Sequence, residues 1–260
     1  MTTCKIHKTA IIDEKAILGE NVEIGPHTII GPKVKIGNGT VVGANVVIEG
    51  NTVIGENCNI FTGAIIGNPP QDLKYKGEDT KVVIGDRCTI REYVTVNRGT
   101  ISAGETKVGS DCLLMSYVHI AHDCRVGNRV ILANNATLAG HVEIEDGAII
   151  GGLTPIHQFT KIGTLAIVGG ASRINQDIPP YCKAAGSPVK LFGLNSIGLE
   201  RNNISLEIRS ELKKAYKIFF RSQKNTSQAI LELEAFENKS KELEHFIGFI
   251  KNSERGISRE

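Results

Sequence analysis

Seven histidines are present in 260 residues, and four of them fall between positions 119 and 157: His119, His122, His141 and His157. A neutral imidazole takes a proton from a hydroxyl or an amine when a carboxylate fixes its tautomer. Asp123 follows His122 directly, in HIAHDC. No serine or cysteine of this set is placed to act as a covalent nucleophile. The residues therefore suit direct attack by a substrate hydroxyl activated by histidine. Gly140 offers an unobstructed backbone N–H for an oxyanion. A zinc held by three histidines is the competing chemistry, and the residue types leave both open.

These residues are positioned by a repeat. Stepping by six from Ile6 to Ile174 gives 29 positions, of which 26 are Ile, Leu or Val; the exceptions are Asp72, Glu78 and Ser102. The residue two before the aliphatic is small, as at Ala16, Thr28, Cys58 and Ala136, and the residue after it is often Gly, as at Gly25, Gly37 and Gly109. In a strand, residues two apart share a face, so the small residue and the aliphatic point inward together. The glycine is expected to take a turn conformation that a side chain would penalise. Three such units close a triangular coil of 18 residues, and the coils stack at ~4.8 Å. The fold class predicted is an all-β parallel β-helix, a hexapeptide-repeat solenoid shaped as a triangular prism, followed by a C-terminal α-helical domain.

None of the four histidines falls on an inward position. Positions 18 apart sit above each other, and the column through His122 contains Gly104, Gly140 and Gln158. His141 and His157 lie one residue to either side of it. His122, Gly140, His141, His157 and Gln158 are thus expected on one edge within about three coils, or ~10 Å of height, with His119 close by. Cys4, Cys58, Cys88, Cys112 and Cys124 all take the small inward position and read as packing residues, while Cys182 lies outside the pattern. There is no C-x-x-C pair, and disulfides and a zinc cluster are not expected.

The pattern breaks at 68–81, NPPQDLKYKGEDTK, and at 97–107, NRGTISAGETK. Long loops in a regular solenoid are commonly functional, and the amphipathic QDLKY marks the first as such. The reading gives a β-helix over 1–190 with these two excursions and a helical domain over 191–260. Ser205 is a plausible N-cap for a helix carrying Ile208, Leu212, Ala215 and Phe219. Two more helices are expected at 227–238 and 239–251. Composition agrees: there is no Trp, aromatics are 5%, and Gly numbers 28. A narrow prism admits one branched aliphatic and one small residue per strand, which displaces aromatics to the tail.

Net charge is +2. Near-balance argues against nucleic-acid binding and membrane-surface attachment, which need a one-signed basic patch. No apolar run reaches the ~20 residues of a membrane span, and residues 1–12 lack a signal-peptide core. A cytoplasmic location without stable membrane insertion is expected.

The hexapeptide repeat resembles the left-handed parallel β-helix acyltransferases. PPQDLKYKGE at 69–78, IREYVTVNRGT at 90–100, HIAHDCRVGN at 119–128, ILANNATLAGH at 131–141, IGGLTPIHQF at 150–159 and QDIPPY at 176–181 resemble the UDP-N-acetylglucosamine O-acyltransferase family. The likeness covers essentially the whole chain. It implies the left hand of the coil, a homotrimer with active sites between subunits, no cofactor and no metal. It also implies a reaction in a Gram-negative-type bacterium, the first step of lipid A biosynthesis. There a 3-hydroxyacyl group passes from acyl carrier protein to the 3-hydroxyl of UDP-N-acetylglucosamine.

By the same resemblance His122 is the general base, Asp123 its orienting partner, and Gly140 the backbone donor to the thioester oxygen. Asp72 and Lys74 match residues that hold the sugar nucleotide, with Gln71 adjacent. His119, His141, His157 and Gln158 match groove residues, and Asn195 and Arg201 match nucleotide-end contacts. Gly170 sits where the family sets acyl-chain length. Three residues depart from the family's pattern: Asn97 replaces His in the HRGT motif of some relatives, and Ile197 and Asn202 replace a Glu and a second Arg. Three rivals share the coil: a 3-amino acceptor in place of the 3-hydroxyl, a γ-class carbonic anhydrase with zinc, and the later N-acyltransferase of the pathway. The last carries an extra domain before its repeats, whereas the repeat here begins at Ile6.

Overall fold

The computed structural model describes residues 4–259. Strands of mostly two residues wind into three sheets of 11, 8 and 8 strands, parallel except for the last pair of the first sheet. The inward aliphatics of the first sheet run Ile24, Val42, Ile60, Ile90, Leu114, Leu132, Ile150 and Val168, each almost fully buried. Burial of one such side chain contributes about 1.5–3 kcal/mol, and every coil supplies three. Backbone N–H groups donate to the coil above, as Gly25 does to Val42 O at 2.8 Å.

The two excursions leave the register intact. Ile66 pairs with Val96, 30 residues on, and Val96 pairs with Ile120, 24 residues on. Both steps exceed 18 by a multiple of six, so the aliphatic phase resumes unshifted after each loop. The left-over positions Asp72, Glu78 and Ser102 fall in the loops, where nothing requires them to be apolar.

Two expectations are corrected. Apart from Gly67 at the first excursion (86°), the glycines after the aliphatics do not supply the turn's unusual backbone. Positive φ occurs two residues later, at positions held by Asn45 (55°), Asp123 (61°), Asn135 (61°) and His141 (61°). Asn and Asp tolerate this region. Gly25 and Gly37 are needed for room: a Cβ on either would sit 2.6 Å from the backbone of Gly43 or Gly55 in the next coil. Cys182 is not outside the packing pattern. Val168 pairs with Ala184, which puts Cys182 level with Ala166 at the small inward position, fully buried. The last coil takes sixteen residues from Val168 to Ala184 rather than eighteen, so the six-step missed it. All six cysteines are free. Hydrogen bonding to Cys112 and burial push the Cys88 thiol up to about 12, and burial does the same to Cys124.

Strand Cys182–Ala185 turns back as Lys190–Leu194, antiparallel to it. Four helices follow: α1 (Ser196–Arg201), α2 (Leu206–Phe220), α3 (Thr226–Glu234) and α4 (Lys241–Lys251). Ser205 caps α2 as its spacing implied, accepting from Ile208 N–H. Asn225 and Gln228 form a reciprocal capping box on α3. The short α1 was not expected, because six residues carry no helical period. The tail is bound to the prism: His245 of α4 contacts Glu145 at 3.0 Å and Tyr181 Oη at 3.1 Å, and Ser253 donates to buried Asp177 at 2.6 Å. No helix among the described residues is long and apolar enough to cross a membrane.

Candidate active site

His122 and Asp123 are the two turn residues between strands His119–Ile120 and Arg125–Val126. The turn is tight because Asp123 adopts positive φ, and this aims its side chain back along the corner. Its carboxylate is buried, and every contact on it is a donor. Thr100 N–H reaches Oδ1 at 2.8 Å, Thr100 Oγ1 reaches Oδ2 at 2.6 Å, and His122 Nδ1 lies 2.8 Å from Oδ2. Burial works against the charged carboxylate, but the hydrogen bonds from Thr100 and His122 outweigh it and hold Asp123 below its ordinary value. An ionised carboxylate only accepts. Nδ1 of His122 therefore carries the proton, and Nε2 is left with its lone pair outward.

One coil above, Gly140 lies against this ring: a Cβ there would sit 2.5 Å from His122 Cε1 and 2.7 Å from Nε2. At the corner after the third sheet the equivalent N–H is satisfied by a side chain of the next coil; Ser110 N–H donates to Asn128 and Asn128 N–H to Asp146. The N–H of Gly140 has no such partner among the described residues, although Gly140 is buried. A buried unpaired N–H is costly and is satisfied when an oxygen arrives. His141 stands edge-on to His122 at 5.3 Å between centroids, 3.4 Å from Asp123 Oδ2, and stacks on Phe159 at 4.5 Å.

His119 lies in the sheet beside this corner and meets Thr95 Oγ1 at 2.7 Å; burial, with His122 adding to it, lowers its pKa. His157 is exposed two coils higher on the same sheet, its ring 3.1 Å from Gln158 O. Within one chain neither His157 nor Gln158 has a side-chain contact with His122. The column below His122 differs from the even 18-residue step. The second excursion brings Thr100, not Gly104, onto Asp123. Thr100, Thr95 and Phe159 were the residues that sequence reasoning missed; a 24-residue coil step from His119, rather than 18, would have found Thr95.

Gln71 and Lys74 are exposed on the first loop, and Asp72 is half-buried with Oδ1 accepting from Lys74 N–H at 2.9 Å. The loop's base is pinned by Asn97, whose Nδ2 donates to Pro69 O at 2.9 Å, and by Arg98, which bonds Tyr75 Oη and Gly67 O. Asn97 is thus an anchor of that loop. Asn195 is the N-cap of α1: its side chain accepts from Gly198 N–H and donates to Leu165 O, leaving little of it exposed. Arg201 is exposed at the end of α1, Ile197 is exposed, and Asn202 caps the helix. Gly170 lies at the opposite edge of the His119 sheet, stacked over Gly152. The chain does not bring it to His122.

The potential metal ligands that converge among the described residues are His122, Asp123 and His141. This is two imidazoles and a carboxylate already engaged by three donors, not the three-histidine set weighed above. The arrangement fits proton abstraction from a hydroxyl beside a backbone oxyanion donor.

Known proteins resemble this chain along nearly its whole length. The family model described as "Udp N-acetylglucosamine O-acyltransferase; Domain 2" matches residues 177–258, and that of the bacterial transferase hexapeptide matches 105–140. The acyl-[acyl-carrier-protein]–UDP-N-acetylglucosamine O-acyltransferase of Aliarcobacter butzleri is 51% identical over 97% of both chains. The LpxA structure from Acinetobacter baumannii is 46% identical, with a TM-score of 0.95 over 98% of this chain and 99% of that one. The UDP-N-acetylglucosamine acyltransferase of Campylobacter jejuni is 41% identical, with a TM-score of 0.94 over 98% and 100%. With about half its residues identical to such a relative along almost the whole of both chains, the chain belongs to the UDP-N-acetylglucosamine O-acyltransferase family.

Proposed function

We propose that this acyltransferase moves a 3-hydroxyacyl group from acyl carrier protein to the 3-hydroxyl of UDP-N-acetylglucosamine, the first step of lipid A biosynthesis, with His122 as general base. Nε2 of His122 takes the proton of the acceptor hydroxyl. The oxygen then attacks the thioester carbonyl, and the tetrahedral oxyanion accepts the N–H of Gly140. Collapse breaks the C–S bond, and the imidazolium returns the proton to the thiolate. Asp123 keeps the imidazole in the reactive tautomer and stabilises the imidazolium. The observation that carries the reading is the free, buried Gly140 N–H beside a ring whose Nδ1 is locked by Asp123.

The relatives are named O-acyltransferases, which favours a hydroxyl over an amine acceptor. We further propose that Gln71, Asp72, Lys74 and Arg201 receive the sugar nucleotide, with Asn195 holding α1 in place. His119, His141, His157 and Gln158 line the groove, and Gly170 limits the acyl chain. Since Gly170 and His122 occupy opposite edges of one sheet, the reading assigns them to one site only across a subunit boundary, in a homotrimer. A β-helix over 1–190 with a helical unit over 191–260, working in the cytoplasm, completes it. Purified protein supplied with 3-hydroxyacyl carrier protein and either UDP-N-acetylglucosamine or its 3-amino analogue tests the reading. Ester formation is expected; amide formation alone would overturn the acceptor.

A further inference from the structure

At the upper end of the sheet that holds His119 there is a cleft of about 420 Å³. Ile156, His157, Arg173, Ile174, Asn175 and Arg255 line it, and no acidic residue does. The two arginines come from distant parts of the chain. Arg173 lies in the last coil, fixed by backbone bonds from its N–H to Gly186 O and from Val189 N–H to its carbonyl. Arg255 lies in the C-terminal segment, which is tied down by the bridge between Asp177 and Ile257. Arg173 has no ion pair among the described residues. Arg255 spends one nitrogen on Asn175 O at 3.3 Å, and its Nε is buried without a partner. Asp177, the carboxylate whose charge meets Arg255, is fully buried. It accepts from Lys161 N–H and Ser253 Oγ instead.

Two guanidiniums and an imidazole lining one cleft in which no carboxylate stands make an anion site, and unused guanidinium N–H groups favour a phosphate. We propose that this cleft is a phosphate subsite that binds the phosphodiester of the acyl donor's pantetheine arm. Its place on the sheet argues for the donor. Ile120, Leu138, Ile156 and Ile174 lie in successive coils, so the cleft, lined by the coils of Ile156 and Ile174, stands about 10–14 Å up the axis from the His122 corner at the coil spacing. A single sugar ring separates the acceptor's hydroxyl from its diphosphate, and that does not cover the distance. An extended pantetheine arm spans on the order of 15 Å between sulfur and phosphate at ordinary bond geometry.

The inference rests on the acyl-transfer reading, and one experiment separates the two. 3-Hydroxyacyl-pantetheine is supplied with and without its phosphate to the wild type, Arg173→Ala and Arg255→Gln. Wild-type turnover tests the reaction itself. The subsite predicts that the wild type prefers the phosphorylated donor by about tenfold in kcat/KM. The preference should fall mostly in KM and be lost in both variants. Arg173 is exposed, so its variant should keep the wild-type melting temperature even if the Arg255 variant folds poorly. An unchanged preference in Arg173→Ala would overturn the proposal. A rise in KM for UDP-N-acetylglucosamine with the donor preference intact would also overturn it, by giving the cleft to the acceptor's diphosphate.

Discussion

Replacing Gly140 by alanine should stop the reaction without unfolding the protein. The φ of Gly140 lies outside the left-handed region, so alanine fits its backbone. The added Cβ would sit 2.5 Å from His122 Cε1 and 2.7 Å from Nε2, where carbon contacts need ~3.5 Å, so the ring must retreat by about 1 Å. His122 keeps some exposure to solvent and can swing outward, which makes the fold tolerant. The same swing strains the 2.8 Å bond to Asp123 and moves the base off the acceptor. A misplacement of that size costs about 10²-fold in rate. Acyl transfer should therefore fall about a hundredfold in kcat/KM, with the melting temperature moving by only ~2 °C. Gly25→Ala is the contrasting control. Its Cβ would meet the backbone of Gly43 at 2.6 Å, which cannot swing aside. It should cost about 1–3 kcal/mol of stability by overpacking, and the protein that remains folded should be active. Gly140→Ala activity within about threefold of wild type would refute the reasoning.

Other consequences follow from the same geometry. Thr100→Val removes one donor to Asp123 Oδ2 and keeps the backbone donor to Oδ1. Because Asp123 is held below its ordinary value, its contribution to stability is present above the unfolded carboxylate pKa and is lost as pH falls through the folded one. The variant should lose stability and activity at higher pH than wild type on acid titration, with activity at neutral pH lower by about tenfold. The hydrogen bond that His245 donates to Glu145 raises its pKa against the opposing effect of burial. Its contribution is therefore full below the ordinary histidine pKa and is lost as pH rises through the folded value. The pair is partly exposed, so melting should show a loss on the order of 0.5–1 kcal/mol above neutral pH, absent in His245→Gln. A Cβ on Gly170 would sit 3.2 Å from Gly152 O, a tight contact, so Gly170→Met requires a small shift of the neighbouring coil. It should shift the donor preference toward shorter acyl chains in a competition assay; an unchanged profile would reject the chain-length assignment.

The prism was legible in the sequence because one aliphatic and one small residue per strand repeat through the coils, and the loops insert multiples of six. Where the chain spends sixteen residues on a coil, as before Ala184, the count slips and Cys182 is misread. The His122–Asp123–Gly140–His141 corner was legible because its members sit 18 apart or adjacent. Thr100 was not, since its place depends on how a loop folds back. The glycines illustrate the limit of pattern reading: the pattern showed that small residues were needed there but not why. The reason is the approach of the next coil, while Asn, Asp and His carry the strained turn.

The central claim is that the His122 imidazole, locked by Asp123, is the base. The direct measurement is acyl transfer from 3-hydroxyacyl carrier protein to UDP-N-acetylglucosamine by His122→Ala, beside its melting curve and oligomeric mass. The account predicts a loss of about 10²–10⁴-fold in kcat with the folded assembly intact. Full turnover by the folded variant would contradict it.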